Sequence, residues 1–131
     1  MELIETLDNA VDYEKHQIGN RKYAAQFSLK PDIDIEITVE LFHGEGILVV
    51  DFYSSGEDVY QVEKGSSTYV IFATIAKIVS DHIDEFNLKY MDLKGTNEKR
   101  ADIFEKMVRR FGSDWQVYRT SKRKVGAIKR Q

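Results

Sequence analysis

Three groups of side chains in this chain of 131 residues have types and spacings that could do chemistry. The first is acidic. In "IDIEITVELF" the charged residues Asp34, Glu36 and Glu40 alternate with Ile33, Ile35, Ile37, Val39 and Leu41. A strand sends alternate residues to opposite faces, so these carboxylates share one face and the aliphatic side chains the other. Asp51 follows on the next apolar segment. Carboxylates gathered in this way can hold a divalent cation, exchange protons with a substrate, or meet a basic partner. Asp51 with Glu63 and Lys64 approaches a nuclease set but lacks the Glu-x-Lys spacing. The expectation is a solvated, partner-binding face and no metal.

The second group is "EKGSSTYVIFATI", in which Lys64, Gly65, Ser66 and Ser67 lead into a long apolar segment. A phosphate cradle converges several backbone N–H groups on a helix N-terminus and is built with closely spaced glycines. One glycine makes neither a Walker loop nor a dinucleotide fingerprint. Lys64 to Ser67 therefore remain a candidate anion site, weighed against a plain helix N-cap at Ser66 or Ser67.

The third group is basic. Arg119, Lys122, Arg123, Lys124, Lys129 and Arg130 fall within the last thirteen residues. Phosphate backbones attract such cations without regard to base sequence. The three histidines, His16, His43 and His82, are scattered. His82 and Glu85 stand at i and i+3, but with no third ligand a solvated surface histidine is expected. There is no cysteine, hence no disulfide, thiolate nucleophile or cysteine metal site.

Net charge is −3, unevenly spread. Residues 1–60 hold 13 acidic and 4 basic side chains, and residues 61–131 hold 9 and 15. The pI of about 5.6 speaks against a dedicated nucleic-acid binder. The acidic start lacks the apolar core of a signal peptide, and "YVIFATIAKIV" is too short to span a bilayer. A cytoplasmic protein without membrane contact is expected.

The elements that must position these groups follow from periodicity. "ELIETLDNAVDYEK" predicts a short first helix, and "HQIGNR" breaks it. "KYAAQFSL" predicts a strand with Tyr23, Ala25 and Phe27 on one face. "IDIEITVELF", a hairpin at "HGEG" and "ILVVDFYS" predict the next two strands, and "VYQVE" a fourth. Phe72, Ile75, Ala76, Val79, Ile83 and Phe86 make the stripe of a long helix. "NLKYMDLKG" predicts a strand with Leu88, Tyr90 and Asp92 on one side. Phe104, Met107, Val108 and Phe111 stripe a second helix, with Gly112 at its C′ position. "WQVYRT" is the last strand. The order α-β-β-β-β-α-β-α-β predicts an α+β fold: a mixed, mainly antiparallel sheet of about six strands, with both long helices on one face. One domain, 1–121, would be followed by a basic tail, 122–131.

Two resemblances add to this reading. The strand, Gly65 and capped helix, followed by strand, helix and strand, resemble acetyltransferases of the GNAT type in element order over about residues 47–118. That resemblance implies a coenzyme pyrophosphate at Gly65 to Thr68, although "QVEKGSS" does not match the family's pyrophosphate loop. "VYQVEKGSSTYVIFATIAKIVSDHI" with "EKRADIFEKMVRRF" resembles small uncharacterised proteins of tailed bacteriophages over about half the chain. That resemblance implies a viral accessory or inhibitory protein in the host cytoplasm and supplies no catalytic residues. The reading is a non-enzymatic macromolecule-binding protein with no cofactor, acting on a host or viral protein through Asp34, Glu36 and Glu40. The alternatives are a GNAT-like acyltransferase and a nucleic-acid-associated protein that uses its basic tail.

Overall fold

The computed structural model describes residues 10–30, 33–44, 47–55, 67–94 and 98–130. Within them the chain runs through strands β1 (Glu14–Gly19), β2 (Lys22–Lys30), β3 (Ile33–Gly44) and β4 (Ile47–Ser55), then helix α1 (Ser67–Phe86). Strand β5 (Tyr90–Lys94), helix α2 (Glu98–Arg109), and strands β6 (Trp115–Ser121) and β7 (Lys124–Lys129) follow. The fold is α+β. The strands form one seven-stranded sheet in the order β1-β2-β3-β4-β5-β7-β6. Neighbours are antiparallel except β4 and β5, which run parallel and join a four-stranded meander to a three-stranded unit.

Two of the expected segments are corrected by the structure. The predicted first helix has no helical part among the described residues: residues 10–13 are irregular and Glu14 opens β1. Two alternating contacts to α1 replace the helical period. Tyr13 Oη donates to Asp81 Oδ2 (2.6 Å), and Lys15 pairs with Glu85 and lies over the Tyr23 and Phe86 rings. The basic tail is also no tail. Its residues Lys124–Lys129 form β7, hydrogen-bonded between β5 and β6 inside the sheet. Val125 and Ala127 are buried, which is why a segment with this many cations is held. The expected strand over residues 59–63 lies outside the described residues.

The core is one cluster of buried side chains. It joins Ile71, Phe72, Ile75, Val79 and Ile83 of α1 and Ala101, Phe104 and Val108 of α2 to Ala25, Phe27, Val39, Leu41, Met91, Leu93, Trp115, Val125 and Ala127 of the sheet. The Phe72 and Phe104 rings meet nearly edge to face across the two helices (78°). Buried Thr74 is satisfied twice: its hydroxyl donates to the Val70 carbonyl and accepts the Val11 N–H (3.0 Å), which ties the chain entering β1 to α1.

Helix α1 ends as the chemistry of its last turn requires. Asn87 takes a left-handed φ of 52°, and the Leu88 N–H returns to the Ile83 carbonyl (3.1 Å), with both Ile83 and Leu88 buried. Leu88 thus belongs to the helix cap and not to β5, where Tyr90 and Asp92 alone keep the expected side. Gly112, with φ 112°, closes the segment after α2.

The sheet order nearly follows the sequence. The first half of the chain therefore supplies β1 to β4, and the strands of the second half are β5, β7 and β6.

A candidate binding face on the sheet

Strand alternation divides the sheet residues into two sets. Met91, Leu93, Val125 and Ala127 are buried in the core cluster, and Tyr90, Lys94, Lys124 and Ile128 between them are exposed. The hydrogen-bonded register carries this second set across the sheet. Lys22 stands opposite Phe42, Phe42 opposite Val49, Val49 beside Asp92, Asp92 opposite Gly126, and Gly126 opposite Tyr118. One step along, Ile47, Tyr90, Ile128 and Gln116 form a parallel row, and Lys94 stands opposite Lys124.

Five large hydrophobic side chains are exposed among the described residues, and four of them lie in these two rows: Phe42 (47%), Tyr90 (45%), Tyr118 (41%) and Ile128 (37%). Ile18, the fifth, is on the edge strand β1. Phe42 and Tyr118 are four strand spacings apart, or about 19 Å at the usual spacing of a sheet. Tyr90, Asp92, Tyr118, Thr120, Ser121, Lys124 and Gly126 line an open cleft of about 430 Å³ in the same region. The Tyr118 ring lies directly over Gly126; a Cβ there would come within 2.6 Å of two ring atoms. Asp92 Oδ1, on the floor of the cleft, is shielded from solvent and accepts no hydrogen bond from a described residue.

The cations of this region fall into two classes. Arg119 is consumed by the fold. Its Nη1 meets Asp102 Oδ1 (2.9 Å) and Glu105 Oε1 (3.2 Å) on α2, and its other N–H groups donate to the Lys122 and Ser121 carbonyls (2.8 and 3.1 Å). The hydrogen bond to Asp102 raises its pKa further above the ordinary value for a guanidinium. By sequence Arg119 belongs with the possible nucleic-acid contacts; in the fold it fastens the β6–β7 turn to α2. Lys94 and Lys124 differ: they are exposed, directly opposite one another, and neither makes an ion pair with a described residue. Like charges in cross-strand positions repel unless an anion lies between them. Lys122 and Arg123 form the exposed turn beside them, and Lys129 and Arg130 follow at the other end of β7.

The acidic candidates share a strand with Phe42. Asp34, Glu36 and Glu40 all lie on β3. Glu36 pairs in register with Ser28 and Ser55, and Glu40 with Ala24 and Asp51. Glu40 is half-buried, two residues from Phe42 on the strand and so on the same side of the sheet. The side chains of Asp34 and Glu36 lie outside the described ones. So do Lys64, Gly65 and Ser66; Ser67 is the first residue of α1.

His82 is corrected outright. It is not a surface histidine but is buried, edge-on to Tyr23 (centroids 5.2 Å) and tilted against Phe86 (4.6 Å), while Glu85 reaches Lys15. No group of three metal-ligating side chains occurs among the described residues, and no helix among them is long and apolar enough to cross a membrane.

The residues that sequence reading missed are Phe42, Tyr90, Tyr118 and Ile128. Phe42, Tyr90 and Tyr118 read as parts of strands and nothing more, and Ile128 falls in the segment expected to be a tail. The available signal is that each breaks the alternation by putting a large apolar side chain on the polar parity of its strand.

The chain matches no protein family, no curated protein and no solved structure.

Proposed function

We propose that this protein acts by binding a macromolecule, with no chemistry of its own, and that the contact surface is the sheet face away from the core cluster. In this reading both helices cover one face of the sheet and leave the other to a partner. A single observation carries it: Phe42, Tyr90, Tyr118 and Ile128 share that face, each more than a third exposed. A clustered apolar patch rimmed by charge marks an interaction site more often than scattered exposed residues do, and aromatic side chains are concentrated at the centres of interfaces. The phage-type accessory role, with a host protein as target, is carried by the sequence resemblance alone. The acyltransferase reading gains no observation, since most of its loop lies outside the described residues.

The test is a capture experiment from bacterial lysate with the intact chain and with a Phe42→Ser/Tyr90→Ser variant that melts like it. Bound protein is read by mass spectrometry and bound nucleic acid by staining. The intact chain should retain a discrete macromolecule that the variant releases. Equal retention by both would overturn the assignment of the face.

A further inference from the structure

Building on the binding-face reading, we infer that the face around β5, β7 and β6 takes a single-stranded nucleic acid, with bases stacked on Tyr118, Tyr90 and Phe42 and phosphates drawn to Lys94 and Lys124.

Four observations converge. The exposed apolar side chains are mainly aromatic rings, and they stand on a rigid sheet. Rings on a sheet face stack two or three unpaired bases, which fits the about 19 Å between Phe42 and Tyr118. Lys94 and Lys124 face one another without an ion pair to any described residue. A phosphate between them would relieve their repulsion, and Lys122 and Arg123 continue the positive surface at the turn. The sheet order places Tyr90, Tyr118, Lys94 and Lys124 on the β5, β7 and β6 side, so only the end of the strand stacked on Phe42 passes near Glu40. Finally, Asp92 is a hydrogen-bond acceptor with an unsatisfied oxygen in the floor of an open cleft of about 430 Å³ beside Tyr118. A carboxylate accepts only, so it selects a base edge that donates. Guanine presents two adjacent N–H donors on its Watson–Crick edge, where uracil presents one. A small swing of the Tyr118 ring would bring Asp92 to such an edge.

Gly126 belongs to the same device. Any side chain at this position would push the Tyr118 ring off the strand.

The test is fluorescence anisotropy with short labelled oligomers: uridine only, alternating guanosine and uridine, the deoxy version of the latter, and a duplex. Each is titrated with the full chain at low and high salt. Saturable binding of the single strands is expected, weaker with salt and weaker still for the duplex; the ribo and deoxy arms tell RNA from DNA. Tyr118→Ala, Tyr90→Ala and Gly126→Val should each weaken binding roughly 5- to 100-fold, the usual effect of losing one stacked base. Removing both Lys94 and Lys124 should reduce the salt slope by about 2. Asp92→Asn should erase the preference for guanosine while leaving the uridine oligomer bound. Thermal melts accompany every variant, and two independent ring truncations keep the test open if one of them unfolds. No saturable binding of any single strand overturns the inference, as does binding that is indifferent to Tyr118 and Tyr90. Capture of a protein on the same face, with no oligomer bound, overturns it too but leaves the binding-face reading standing. Indifference of both experiments to the face overturns both.

Discussion

Tyr13 shows how much a single residue can report about packing. Its hydroxyl leaves the irregular segment before β1 and donates to Asp81 on α1, with Glu85 nearby. Partial burial first, then the hydrogen bond and the charge of Asp81, and then the charge of Glu85, raise the phenol well above its ordinary value. Ionisation would remove the donor and add a third negative charge beside two carboxylates. A group whose pKa is raised on folding contributes stability that is full below its unfolded pKa, about 10 for tyrosine, and is lost as the pH climbs through the folded value. Urea midpoints measured from neutral to strongly alkaline pH should therefore fall more steeply above about pH 10 for the natural chain than for Tyr13→Phe. Parallel curves would show that the phenol is not held there.

At the scale of elements, β7 carries the largest consequence. It is an interior strand that donates and accepts across both of its edges, to β5 and to β6. Its turn is fastened to α2 through Arg119. Removing residues 122–131 would leave β5 and β6 each without a partner on that side and expose Leu93 and Met91, which are now buried. Unpaired backbone groups and lost apolar burial both act against folding. Deletion should abolish a cooperative thermal transition by circular dichroism. A deletion variant that melts like the full chain would mean that these residues are the appendage their charge suggests.

At the scale of the molecule, strand order sets a gradient of protection. Strands β1 and β6 are the two edges, while β5 and β7 are interior and flank the buried Leu93 and Val125. Interior strands open only with the whole domain, whereas edges fray. Native-state hydrogen exchange should find the slowest amides in β5, β7 and the middle of α1, and the fastest in β1. Slow exchange in β1 equal to that in β5 would contradict the order.

Local periodicity was enough to read much of this. The stripe of Phe72, Ile75, Val79 and Ile83 and that of Phe104 and Val108 each repeat with the helical period, and each is buried in the common core. The alternation of β3 and the matching faces of Tyr23, Ala25 and Phe27 are equally local facts. Three things were not local. The segment around Glu14 became a strand because Tyr13 and Lys15 found partners on α1 68 and 70 residues away. Lys124–Lys129 became interior because two strands needed a common neighbour, which outweighs the charge of its ends. And Phe42, Tyr90, Tyr118 and Ile128, which come from four different strands, form one surface only through register. Periodicity tells a strand which side a residue takes. Only hydrogen-bonded pairing across the sheet decides which other residues stand beside it, and a binding face is made of those neighbours.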